Sequence, residues 1–455
     1  MSATFSWHED NGVWRRKLGG METFYLTLAS PEGQPVHWMI GCCVSLIYNG
    51  KDSIDIQGAL RRAWKETRLK LPSLASTLDR SSGEIVVALG DTSSESDEWL
   101  RESFQVHDHG SANDLFSAFK SQLHITLHFL PAAKQVMIQA PHSLIDGRGI
   151  LHLYHTLFTA LSNNNPDDHS NGAISTNSLD LTLPYDKWLG LLPVPSEKNS
   201  KAAESIFKRV LYQEQPIRLP GVDFTRESQH PAHVELVINE HISNTTFIEC
   251  KKRGITVTSA WHAALAMATK KIQSAAGEKG TSYVQFTTID LRRWFPPHFR
   301  PRTDSIGSLQ TALPFALDLE KDSTFEALSR TLHAHYKDPF AFADGDFNYL
   351  TPYMANSVQI LKAGGVPPSS TPSLSSMGVI DALLAPRYGD WELADFWISS
   401  TMLTGDFQMY LWTFRGRMVF SVCYNEAFYD VGFVNSVLEE TRDELFAGLG
   451  VEAAL

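Results

Sequence analysis

The chain has 455 residues, of which 43% are hydrophobic, 11% aromatic and 20% charged. Such a profile buries large cores and excludes disorder, and at roughly 100 to 200 residues per domain it predicts two domains. The 39 Lys and Arg stand against 51 Asp and Glu, a formal charge of -12, and the resulting field repels polyanions, so nucleic acid is not an expected partner.

Cys42, Cys43, Cys250 and Cys423 form no CxxC pair, so neither a disulfide framework nor a zinc site is indicated. The first ten residues lack a basic region followed by an apolar run, and nowhere do about 18 apolar residues follow one another. A soluble, cytoplasmic protein without membrane contact is the expectation, with Asn244-Thr245-Thr246 a chance match to the glycosylation pattern.

In chain order, Leu123, Ile125, Leu127 and Phe129 alternate with His124, Thr126 and His128, the period of a half-buried strand. A turn over Pro131 to Lys134 returns the chain as a second arm from Gln135 to Ala140. From Ile150, apolar residues at Tyr154, Leu157, Phe158 and Leu161 recur at helical spacing. The segment Pro141-His142-Ser143-Leu144-Ile145-Asp146-Gly147 therefore lies on a loop between strand and helix.

Polar residues from Ser162 to Gly172, and an irregular run with Pro184, Pro193 and Pro195 as far as Ala202, read as a crossover over 162–202. The expected division is one domain over 1–185 and a second over 186–455. In the second, Ala260, Trp261, Ala264, Leu265 and Ala268 stripe a helix over Thr256 to Ile272. Gln408 to Phe414 and Arg417 to Tyr424 flank Arg415-Gly416 as a hairpin, and Val431 to Phe446 forms a closing helix. Hairpins and helices without strict alternation predict an α+β class.

An imidazole titrating near pH 6.5 and held on a rigid loop can take a proton from a hydroxyl or amine, and His142 is placed to do so. Asp146 could fix a backbone or a neighbouring cation, and Gly147 permits a turn that a side chain would obstruct. From the residues alone, a loop histidine followed by an ordinary Asp-Gly turn is an equal reading.

His142-x-x-x-Asp146-Gly147, after a hairpin and before a helix, resembles the HxxxDG motif shared by chloramphenicol acetyltransferase, condensation domains and plant acyltransferases. Arg15 to Glu22, Arg253 to Ala260 and Asn425 to Asp430 are similar to the fungal branch of trichothecene 15-O-acetyltransferase-like enzymes. The resemblance implies two chloramphenicol-acetyltransferase-like subdomains, each a mixed sheet with flanking helices, and an active-site tunnel between them. It implies O-acyl transfer, acetyl first among the groups, from acyl-coenzyme A to a hydroxyl of a small secondary metabolite. His142 is then the general base, Asp146 a structural residue paired with Arg292, and Gly147 a structural neighbour. Ser375-Ser376-Met377-Gly378 resembles the segment opposite the histidine in condensation domains, which makes Ser376 a candidate oxyanion donor; a hydroxyl in a Ser/Pro-rich loop from Pro367 is the other reading.

Two departures matter. Pro141 stands where condensation domains carry a second histidine, as in single-histidine acyltransferases, and Arg387 to Trp391 only partly matches the plant DFGWG motif. Lys251, Lys252 and Arg253 are candidates for the coenzyme A phosphates or form a solvated charge run. No bound cofactor is expected: acyl-coenzyme A enters as cosubstrate, an acyl carrier protein is the alternative donor, and the same fold could instead guide cyclisation or dehydration of a polyketide or alkaloid. A monomer is expected. His124 with His128, about 13 Å apart on a strand, and His152 with His155 read as packing or surface histidines rather than metal ligands. There is no Gly-x-Ser-x-Gly elbow, dinucleotide fingerprint or phosphate-binding P-loop.

Overall fold

The computed structural model describes residues 5–51, 54–88, 93–163, 180–211, 215–299, 306–320, 322–343, 345–365 and 368–452. Most of the polar stretch expected to begin the crossover, and Pro367, lie outside the described residues.

The chain divides into two compact units. The first takes Met1–Val194 together with Asp290–Gln310 and Ile380–Ser400; the second takes Pro195–Ile289, Thr311–Val379 and Thr401–Leu455. The sequence predicts one cut, 1–185 against 186–455; these units interleave along the chain. One cause is the strand Trp391–Ser400, which runs antiparallel to Met39–Tyr48 from Trp391 opposite Tyr48 to Ser400 opposite Ile40. Pairing at that sequence separation leaves no local signature.

The first unit holds a six-stranded sheet in the order Arg387–Tyr388, Trp391–Ser400, Met39–Tyr48, Gln135–Pro141, Thr126–Leu130 and Phe104–Val106. All its pairs are antiparallel except the last. A four-stranded antiparallel sheet over His8–Asp10, Val13–Lys17, Glu84–Ala88 and Ser76–Asp79 accompanies it. The hairpin arms expected around Pro131 are present, but the first begins at Thr126 rather than Leu123. Upstream, the backbone is drawn to the smaller sheet, where Leu123 accepts from Leu78 N–H and His124 bridges to Thr77. All five residues of Thr126–Leu130 are buried, so the strand is covered on both faces.

In the second unit the sheet order is Gln310–Asp318, Ser282–Asp290, Ser373–Val379, Gln408–Phe414, Arg417–Asn425 and Pro231–Ile238. The expected hairpin pairs Gln408 with Cys423 through Phe414 with Arg417. Helices Val257–Ala275 and Val431–Leu449 pack together, their apolar stripes closing a core that includes Trp261, Phe420, Val437 and Leu445. Both units are thus mixed helix-and-sheet bodies, as the α+β reading requires.

The four cysteines are buried, and none forms a disulfide. No helix among the described residues is long and apolar enough to cross a membrane, and no group of three or more His, Cys, Asp or Glu among them could hold a metal ion.

Candidate active site

His142 follows the end of the strand Gln135–Pro141, inside the first unit. Pro141 to Asp146 is buried. Leu144 N–H closes a turn on the Pro141 carbonyl at 2.9 Å, and Asp146 then starts the helix Gly147–Ser162, capping it by accepting Gly149 N–H at 2.7 Å. An N-cap carboxylate here satisfies an otherwise orphaned amide and favours the helix dipole. Gly147 is the first helical residue, directly after the Asp146 cap.

Asp146 is 1% exposed and uses its carboxylate fully. Arg292 donates Nη1 to Oδ2 and Nη2 to Oδ1, both at 2.9 Å, and Leu309 N–H donates to Oδ2 at 2.8 Å. The Asp146 N–H donates to the Gly307 carbonyl at 3.0 Å. Two-pronged arginine–carboxylate pairing fixes both planes, so the structure brings Asp146 and Arg292 together and ties the His142 turn to the segment after Asp290.

The imidazole is packed on its face by Tyr25, with ring centroids 3.8 Å apart and planes 9° from parallel. Trp38 stands edge-on at 6.3 Å. Gln310 places Nε2 2.8 Å from Tyr25 Oη, to which it donates, and 3.5 Å from His142 Nε2. Burial pushes the His142 pKa down to about 4, against smaller opposing effects of the His142 and Ile145 backbone and of the Asp146 charge. The ring is consequently neutral at physiological pH with a nitrogen lone pair available. Burial also pushes the Tyr25 phenol well up, so it stays protonated.

Sequence reasoning missed Tyr25, Trp38 and Gln310. Trp38 carries a trace of its role only in the backbone, with φ +61, a conformation costly for a bulky side chain and characteristic of functional sites. Tyr25 follows Arg15 to Glu22, one of the segments that carried the resemblance, and the structure explains that segment. Arg16 grips Glu22 through two bonds of 2.7 Å, Glu22 accepts Gly19 N–H at 2.7 Å, and the helix Gly20–Leu28 then presents Tyr25.

The remaining candidates are each described within their own unit. Ser376 is in the second unit on the strand Ser373–Val379, not in a loop, at a register shift between Ser376 and Gly378. Its hydroxyl shares a 2.8 Å hydrogen bond with Thr258, the second residue of the helix Val257–Ala275. Lys251 and Lys252 end the helix Glu240–Lys252. Lys252 and Arg253 are both paired with Glu249, at 2.7 and 2.6 Å, and Arg253 also donates to the Leu449 carbonyl. His128 bonds His107 at 3.0 Å and His155 bonds Tyr388 at 2.9 Å. Arg387 to Trp391 forms a tight hairpin between two strands, with Gly389 at φ +57.

The histidine, aspartate and arginine expected from the HxxxDG resemblance all lie in the first unit. No protein-family model matches the chain. The O-acetyltransferase pigM of Monascus ruber is 25% identical over 468 residues, covering 98% of this chain and 88% of that protein. The acetyltransferase pigO of the same organism is 25% identical over 470 residues, covering 97% of each. Among solved structures, the TRI3 trichothecene 15-O-acetyltransferase from Fusarium sporotrichioides superposes with a TM-score of 0.80 at 15% identity over 98% of both chains, a likeness of fold. The chain is thus similar in sequence to fungal acetyltransferases and shares the fold of the trichothecene acetyltransferase and of condensation-type domains.

Proposed function

We propose that this protein moves an acyl group, acetyl first among them, from a coenzyme A thioester to a hydroxyl of a small secondary metabolite. The observation that carries the reading is His142 itself: a buried, neutral imidazole, clamped by Tyr25 on a turn that Asp146 and Arg292 immobilise. Such a ring is poised to accept a proton and is costly to place in a fold without a use. The curated relatives named as acetyltransferases favour acyl transfer as that use.

The step balances as follows. The acceptor O–H gives its proton to His142 while its oxygen bonds to the thioester carbonyl carbon. The tetrahedral oxyanion collapses, the C–S bond breaks, and the departing thiolate takes the proton from the imidazolium. A hydrogen-bond donor aimed at the oxyanion contributes roughly 3 to 4 kcal/mol; Ser376 is the candidate, with its hydroxyl proton shared with Thr258. Lys251 is the lysine of the candidate phosphate cluster that no ion pair described here engages, and with Lys252 and Arg253 it remains the proposed contact for coenzyme A phosphates.

The test is thermal. Ligand at about 100 times its dissociation constant stabilises by roughly 2.7 kcal/mol, so the melting temperature is measured with coenzyme A, acetyl-coenzyme A and longer thioesters. A rise with one thioester, followed by its consumption with hydroxylated metabolites and loss of that consumption in His142→Ala, is the expected result. No rise with any thioester turns the reading to a carrier-protein donor. Cyclisation of a polyketide or alkaloid without a thioester, abolished in His142→Ala, replaces acyl transfer altogether.

A further inference from the structure

Gln310 is outside the recognised motif, yet the motif converges on it. The Asp146 carboxylate holds Leu309 N–H at 2.8 Å, Asp146 N–H holds the Gly307 carbonyl at 3.0 Å, and Leu291 N–H donates to the Leu309 carbonyl at 3.1 Å. The backbone entering Gln310 is therefore registered against the His142 turn by the same residue that anchors that turn. From this fixed point the side chain delivers its amide nitrogen to Tyr25 Oη at 2.8 Å and to within 3.5 Å of His142 Nε2. A primary amide has two N–H donors, so one can serve each partner. Tyr25 covers the ring face and Gln310 meets its edge.

Donation of that N–H to Nε2 requires the lone pair there and so goes with a neutral ring protonated on Nδ1. That is the tautomer a base acting through Nε2 needs. At 3.5 Å the contact is long, so it orients the ring without closing off the lone pair, and such contacts tighten when substrate enters.

We infer that Gln310 is a positioning residue for His142 and for the acceptor: its amide holds the imidazole as the Nδ1–H tautomer at rest, then donates to the acceptor oxygen once that hydroxyl's own O–H occupies Nε2. The second half rests on the acyl-transfer reading; the first does not. A neutral hydroxyl gives its proton to His142 and accepts from Gln310 at the same time. An alkylammonium ion has no lone pair with which to accept from Gln310 while it faces Nε2. The acceptors are accordingly alcohols and phenols rather than amines that are protonated at neutral pH. In the transfer step Gln310 neither gains nor loses an atom.

The experiment is long-range 1H–15N spectroscopy of the full chain carrying 15N-histidine, at neutral pH and without ligand. Among 17 histidines, the His142 signals are those lost in His142→Gln. The expected wild-type ring has a protonated Nδ1 and a bare Nε2 displaced upfield by an accepted hydrogen bond. In Gln310→Ala the Nε2 resonance moves towards its unbonded position or the ring averages between tautomers; Gln310→Met, of similar length, gives the same change if the alanine variant folds poorly. Gln310→Glu reverses the pattern, since a carboxylate accepts from Nε2–H and raises the midpoint of the His142 titration. A wild-type ring protonated on Nε2, or an unchanged ring spectrum in a folded Gln310→Ala, overturns the inference. With thioester and an alcohol acceptor, kcat falls about tenfold in Gln310→Ala, less than loss of the base itself because the imidazole is retained; an unchanged kcat removes the acceptor half. If the wild type transfers no acyl group from any thioester, the acyl-transfer reading fails while the spectra still decide the positioning role.

Discussion

Two ion arrays hold the elements that meet at the His142 ring, each with one arginine and two carboxylates, and they differ in where the second carboxylate lies. At the motif, Asp146 is met by one guanidinium and by two backbone N–H groups, and Arg292 also reaches Asp290 at 3.0 Å. Beneath the Tyr25 helix, Arg16 and Glu22 form a closed pair, but Asp186 adds a second carboxylate, accepting Gly20 N–H at 3.2 to 3.3 Å. Burial, followed by the charge of Glu22, pushes the Asp186 pKa up to about 7. In the first array the second carboxylate, Asp290, is partly exposed and also meets Arg148 at 3.4 Å, so the Asp146–Arg292 pair serves as a fixed anchor; in the second, the surplus acid Asp186 is buried.

The sharpest tests break the anchor apart from the chemistry it supports. His142→Ala should lower transfer by about a hundred- to ten-thousandfold with little change in the denaturant midpoint, because general-base catalysis is lost and the turn is kept. Asp146→Ala should instead destabilise the fold by about 3 to 5 kcal/mol in urea titration, by stranding Arg292 in a buried site. Replacing both partners, Asp146→Leu with Arg292→Met, should recover much of that loss without recovering activity; independent, additive losses would show that the pair does not act as a unit.

The two arrays should also separate by pH, with opposite signs. Asp186 has a folded pKa raised from the ordinary 3.8 to about 7, so the folded state holds the extra proton between those values and stability falls as pH rises through them, by at most about 1.4 kcal/mol per pH unit. Asp186→Asn should flatten that limb of the melting-temperature profile. His142 has a folded pKa depressed from 6.5 to about 4, so the unfolded chain binds the proton in that interval and stability is lost as pH falls through it. The acid limb of kcat/KM should therefore lie well below pH 6.5, and a limb at 6.5 would mean that substrate meets a solvated ring. Smallest of the four, Tyr25→Leu should cost about 0.5 to 1.5 kcal/mol beyond the lost burial, the worth of a stacked ring pair, and should raise the His142 titration by admitting water.

Local pattern and motif spacing were enough to find the hairpin before His142, the helix after it, the helix and hairpin of the second unit, and the residues His142, Asp146 and Arg292 as a set. Each is written in short-range periodicity or in residue types that match a known motif. The sequence also determined that the site's ion pair spans Asp146 and a residue far along the chain, though only through resemblance. It was silent on Tyr25, Trp38 and Gln310, which are ordinary residues made special by what they touch: a stacked ring, a left-handed backbone and an amide between two partners. It was silent as well on the return of Trp391–Ser400 to Met39–Tyr48. Chain-distant strand pairing and side-chain convergence depend on the packed backbone, which specifies distances and angles that no linear spacing contains, and these only the tertiary structure decided.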